Sequence, residues 1–199
     1  EILRCLVGSE MCIRDRYNDS NNYLARASQL PVQYDSRTKG YVTSVKYQGG
    51  LGTCWAYAAT AAMESYALSH GIVSSATDID LDEYALAYMT FDDTQYVDKL
   101  GNSTGDVTTI KASSSMEKCL KGGGNDNYAF KTLSKWASMV NQQAGHEGIY
   151  LPTDYTFNVD DVEYILVGQK YIKMTDTQDV KQAVIDNGAV TVSYNACLL

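Results

Sequence analysis

Several things are scarce in this chain, and each scarcity narrows the reading. Basic residues are outnumbered, 16 Lys and Arg against 24 Asp and Glu, for a net charge of −8. So acidic a surface argues against nucleic acid or an anionic membrane as partner. No apolar run is long enough to span a bilayer. Cysteine occurs five times, an odd number that does not suggest a disulfide framework. Proline and histidine occur twice each, so an imidazole can come only from His70 or His146. Two motifs are absent as well. Gly122-Gly123-Gly124 is not followed by Lys-Ser or Lys-Thr, which speaks against a phosphate loop. The acids Asp78, Asp80, Asp82 and Glu83 lack the glycine and final glutamate of an EF-hand loop, and read as the start of a helix. No metal and no cofactor is expected.

What is present points to a globular chain. Its 199 residues allow one or two domains and a sizeable core, and 45% of them are hydrophobic. Tyrosine is abundant, at 16. The informative stretch is Gln48-Gly49-Gly50-Leu51-Gly52-Thr53-Cys54-Trp55-Ala56-Tyr57-Ala58. A helical pattern begins at Cys54, with Trp55, Ala58, Ala59, Ala62, Met63, Tyr66 and Ala67 on the apolar side and Gly71 as the stop. Cys54 then lies at a helix N-terminus, where unpaired N–H groups and the dipole favour an anion such as a thiolate. The glycines permit tight turns and leave room above the sulfur. Gln48 brings an amide donor of the kind that stabilises an oxyanion. The plain alternative is a structural cysteine on a core helix.

This block resembles the papain-like cysteine peptidases, with Leu51-Gly52-Thr53-Cys54-Trp55 standing where that family carries its nucleophile signature. It departs at Leu51, where many members have cysteine, and at Thr53. The upstream runs Leu30 to Arg37 and Val42 to Gln48 are similar to the family's mature N-terminal region. The resemblance implies a cysteine endopeptidase that hydrolyses peptide bonds through an acyl-enzyme. Cys54 would be the nucleophile, and Gln48 with the Cys54 N–H the oxyanion donors. Gly123 and Gly124 would hydrogen-bond an extended substrate backbone, with Trp55 also at the substrate site. A loop before a helix is the competing reading of the glycines. Many members pair a cysteine three before the nucleophile with one just before the Gly-Gly. Leu51 takes the first place here, so Cys119 is expected to be a packing thiol. The large loop before the Gly-Gly-Asn resembles bacterial surface-type members, which implies a secreted or cell-surface location.

The expected fold is α+β. A helical lobe covers about residues 45–150, and the start of a β-rich lobe about 151–196, within a partial domain spanning 30–196. Residues 92–118 read as a surface loop. A helix follows from Tyr128 to Val140, with Phe130, Leu133, Trp136 and Val140 on one side. Tyr164 to Met174 and Ala189 to Tyr194 read as strands. Thr175 to Gln178 form a capping box for a helix through Val180, Val184 and Ile185, ended by Gly188. Residues 1–29 read as a leader and linker. The run Arg4 to Arg16 resembles translated adapter sequence, and Cys197-Leu198-Leu199 raises the same suspicion.

The resemblance demands a histidine base oriented by an asparagine, roughly 130–150 residues after the cysteine. His70 and His146 both stand too early. His70 reads as the end of the Cys54 helix and His146 as an exposed loop residue, so the domain is expected to stop before that half of the site and to be inactive alone. A non-catalytic peptide-binding or surface pseudopeptidase is the alternative, and a thiol-dependent acyltransferase a third. Peptide or protein is the expected partner. Oligomeric state and substrate preference are not legible.

Overall fold

A computed structural model describes residues 30–92, 115–134, 164, 166 and 168–193. Among these, five α-helices follow a short 3₁₀ turn, Ser36–Lys39. The helices are α1 (Cys54–Ser69), α2 (Glu83–Phe91), α3 (Met116–Lys121), α4 (Asp126–Leu133) and α5 (Thr177–Asn187). Helix α2 packs against α1, α3 and α4, while α1 also packs against α4 and α5.

The helix boundaries have local causes. Asp35 caps the 3₁₀ turn by accepting from the Arg37 N–H, and Gly40 closes it at φ +74°. Helix α1 ends on Gly71 at φ +66°, with the Gly71 N–H bonded to Leu68 O and the Ile72 N–H to Ala67 O. That paired arrangement needs a left-handed residue, which glycine adopts without a Cβ clash. The acids before α2 act as a cap: Asp82 Oδ1 accepts from the Ala85 N–H at 2.8 Å. Asn125 accepts from Asn127 N–H at the start of α4. Asp176 accepts from Asp179 N–H at the start of α5, and Gly188 at φ +80° ends that helix. The capping residue of α5 is therefore Asp176, one position after the Thr175 of the expected box.

Helix α2 carries the centre of the core. Eight of its nine residues are buried, from Glu83 to Phe91 with Tyr88 half-buried. A helix apolar on all sides belongs in the middle of a packed layer. The buried face of α1 is not quite the expected one. Trp55, Met63 and Ala67 are buried as expected, but Ala58 is exposed and Ala59, Ala62 and Tyr66 are only partly covered. Their place is taken by Ala56, Thr60, Glu64 and Leu68. The helix is rotated because Glu64 points inward to three partners described below.

Other expectations need correction. The loop read as 92–118 is described only at its ends, where Met116 already opens α3. Helix α4 begins at Asp126, before Tyr128, and runs to Leu133. Trp136 and Val140 lie outside the described residues. No strand forms among the described residues of 164–174 or 189–194. Strands need ladder partners, and Tyr171, Met174 and Val192 are more than half exposed. The described part is thus helical, as a helical lobe should be. Among the described residues no helix is long and apolar enough to cross a membrane.

Candidate active site

Cys54 opens α1 and is exposed. Thr53, the residue before it, is 2% exposed, and its hydroxyl makes no cap on the helix. The Ala56 and Tyr57 N–H groups bond instead to the Thr53 carbonyl, at 2.9 and 3.2 Å. The helix N-terminus beside the sulfur thus carries no hydrogen bond to the Thr53 side chain. His70 is the C-cap of the same helix, stacked on Tyr66 with ring centroids 3.8 Å apart. Sixteen residues of helix separate it from Cys54, about 24 Å along the axis. His70 cannot take a proton from that sulfur. His146 lies outside the described residues.

Two glycine turns meet at the start of α1. Gly49 sits at φ +65° and Gly123 at φ +82°. Gln48 Nε2 donates to Leu51 O at 2.7 Å, which closes the turn between them. The Gly52 N–H donates to Leu120 O at 2.8 Å, so the turn is tied to the end of α3. A Cβ on Gly52 would lie 2.5 Å from Gly123 N and 2.8 Å from Gly123 Cα. A Cβ on Gly124 would lie 2.3 Å from the Trp55 Nε1. The 122–124 loop thus reaches the Cys54 turn because both sides lack side chains. Trp55 is 7% exposed, and it meets Tyr128 edge-on at 5.8 Å. Tyr128 in turn meets Phe91 edge-on at 5.9 Å. The indole therefore forms a floor under Gly124 rather than an exposed surface. Neither Cys54 nor Cys119 is in a disulfide, and Cys119 is half-buried within α3.

This contact is open to a direct check. Gly52→Ala should cost about 1–3 kcal/mol, because backbone atoms of Gly123 must move to admit the methyl. Gly50→Ala is the control, since a Cβ there meets nothing within 4 Å. Urea midpoints of the two variants should differ clearly, and equal midpoints would mean the loops part freely.

A charged cluster lies behind the turn. Lys46 Nζ is 2.5 Å from Asp80 Oδ1, 2.7 Å from Glu83 Oε1 and 3.2 Å from Glu64 Oε1, and it donates to Leu81 O at 3.1 Å. Glu64 also accepts from the Leu81 N–H at 2.7 Å and from the Thr43 hydroxyl at 2.5 Å. Thr60 donates to Glu83 Oε1 at 3.2 Å. Burial works against the Lys46 charge, but the hydrogen bonds to Asp80 and Glu83 outweigh it and hold the ammonium above its ordinary range. Burial raises the Glu83 carboxyl above its ordinary value, and Lys46 only partly offsets this. The sequence gives little warning of the cluster, because Glu64 sits where a solvent-facing acid would be read.

Comparison with known proteins bears on one part of the chain. Residues 30–86 match the family described as papain family cysteine protease. A low-temperature-induced cysteine proteinase of Solanum lycopersicum is 49% identical over 49 residues, 24% of this chain and 14% of the relative. Cathepsin S of Rattus norvegicus is 47% identical over 49 residues, 24% of this chain and 15% of the relative. Ananain of Ananas comosus is 40% identical over 62 residues, 31% of this chain and 18% of the relative. The matched segment thus spans less than a fifth of each of these proteins. No solved structure matches the chain. Residues 30–86 are thus similar to papain-family cysteine proteases of plants and to a mammalian cathepsin.

Proposed function

We propose that this chain carries the nucleophile half of a papain-like cysteine peptidase. The observation that supports it best is the exposed Cys54 at the start of a sixteen-residue helix, with the Gly122 to Gly124 loop packed against the same turn. In this reading the Cys54 sulfur attacks a peptide carbonyl carbon. An S–C bond forms, the carbonyl electrons move to oxygen, and their return expels the amine, which takes a proton. Water then hydrolyses the thioester and restores the thiol. Gln48 keeps one amide hydrogen on Leu51 O, leaving the other for the oxyanion beside the Cys54 N–H. Gly123 and Gly124 offer backbone to an extended substrate, and Trp55 holds that backbone in place from below. His70 is no part of this machinery. The reading thus assigns the nucleophile, the oxyanion donors and the substrate-backbone contacts to named residues. In this reading Gly123-Gly124-Asn125, the Trp136 that follows in sequence and the large loop before the glycines support a secreted or cell-surface location and a bacterial surface-type assignment, while the relatives named above come from plants and a mammal.

The test is chemical. Iodoacetamide at pH 7, followed by mass spectrometry of each cysteine peptide, should label Cys54 at least about tenfold faster than Cys119, because Cys54 is exposed and Cys119 is half-buried in α3. Fast labelling of Cys119 with Cys54 inert in the folded chain would make Cys54 a structural cysteine and end the peptidase reading.

A further inference from the structure

We propose that Lys46 is a positioning residue for the oxyanion donor, pinning the segment that carries Gln48 to α1 and α2 through Glu64 and Glu83. The inference deepens the peptidase reading and rests on it for its catalytic meaning.

The exposure pattern carries the argument. Val45 and Tyr47 are 99% and 73% exposed, so neither neighbour anchors the chain by packing. The Lys46 side chain is 19% exposed and turns inward between them. Its ammonium meets one carboxylate from α1, Glu64, and one from α2, Glu83, together with the Leu81 carbonyl just before α2. One side chain therefore ties the 42–48 segment to both core helices. Thr43 adds a second tie, to the same Glu64.

The other end of the turn is held by a different device. Gly52 is bonded to Leu120 and seated on Gly123. Between these two fixed points lie Tyr47 to Leu51, with Gly49 in the left-handed region and Gln48 bonded only to Leu51 within the turn. Gln48 has no anchor of its own beyond that turn among the described hydrogen bonds. Its place relative to Cys54 is set by where the turn is pinned. Release of Lys46 would leave the turn held by Leu51 and Gly52 downstream and, upstream, by Thr43 alone, so the amide would gain freedom while the sulfur stayed with α1.

A pair of electrophiles separates the two effects. A peptide aldehyde adds the Cys54 S–H across its C=O: the S–C bond forms, and the carbonyl oxygen gains the thiol proton. That adduct uses the oxyanion donors. Iodoacetamide loses iodide to the sulfur and needs no such donor. In the full chain, Lys46→Met should weaken aldehyde binding at Cys54 about tenfold and leave the iodoacetamide rate within about twofold. Gln48→Ala should weaken it similarly, and the double variant should lose little more, as expected for residues acting through one another. Lys46→Arg, which keeps the charge, should recover most of the binding. Hydrogen exchange supplies a readout independent of function: amides 47–52 should exchange at least about tenfold faster in Lys46→Met, with α5 unchanged. Glu83→Gln, which keeps shape and removes one partner charge, should shift both readouts the same way, and it decides the matter if Lys46→Met does not fold. Unchanged exchange at 47–52 in these variants, or equal loss of protection throughout, overturns the pin. Failure of the unsubstituted chain to bind the aldehyde overturns the peptidase reading instead, and the exchange data still judge the pin.

Discussion

Glu64→Ala should cost about 3–5 kcal/mol of stability, a large part of the 5–15 kcal/mol typical of a domain. Glu64 is 1% exposed and serves three donors at once: the Leu81 N–H, the Thr43 hydroxyl and the Lys46 ammonium. Alanine removes the acceptor and leaves the donors. The Leu81 N–H is the costliest, because Leu81 is fully buried and water cannot replace the lost partner. Lys46 keeps Glu83 and Asp80, which limits its share of the damage. Glu64→Gln retains one carbonyl oxygen in the same place and should cost about half as much. Urea unfolding followed by circular dichroism measures both. A loss below about 1 kcal/mol for the alanine variant would show that water enters the cluster.

The second large effect has the opposite sign. Leu51→Cys should form a disulfide with Cys119 on mild oxidation and stabilise the chain by about 4 kcal/mol, the value for closing a loop of roughly 70 residues. The geometry is favourable because the Gly52 N–H already bonds Leu120 O at 2.8 Å, which lays residues 51–52 beside 119–120. Leu51 and Cys119 are both partly buried against the same core. Cys54 stands on the first turn of α1 and is exposed, so it should stay reduced. Intact-mass analysis after alkylation should show two fewer labelled thiols than in the reduced protein, and the urea midpoint should rise. Pairing of the new cysteine with Cys54 instead would mean that the 51–52 turn is seated otherwise than described.

The contrast between these two sites shows what a sequence can reveal. The bounds of α1 were legible because both ends carry local chemistry: a glycine turn into Cys54, and Gly71 in a left-handed exit. The start of α2 was legible from its acids, and the end of α5 from Gly188. The neighbourhood of Cys54 and the Gly122 to Gly124 loop followed from family resemblance, not from periodicity. Glu64 was not legible. Its partners stand 21, 18 and 17 residues away, and nothing in the helix pattern marks it as buried. The expected strands do not form among the described residues for a related reason. Alternation of apolar residues states which face could be buried, but a strand exists only where another backbone completes its hydrogen bonds.

Gly188 has a consequence for the order of events in folding. A Cβ there would lie 2.6 Å from Ser65 O, and its own carbonyl accepts from Ser36 Oγ at 2.5 Å. One residue at the end of α5 thus touches both α1 and the 3₁₀ turn, across a separation of 152 positions from Ser36. Contacts of that span raise the contact order and wait on slow loop closure, whereas α1, α2 and their cap can assemble from near neighbours. On a ribosome the helices around Cys54 can therefore pack while α5 is still being made. The clasp between residues 36 and 188 closes last, and substitutions in it should speed unfolding more than they slow folding.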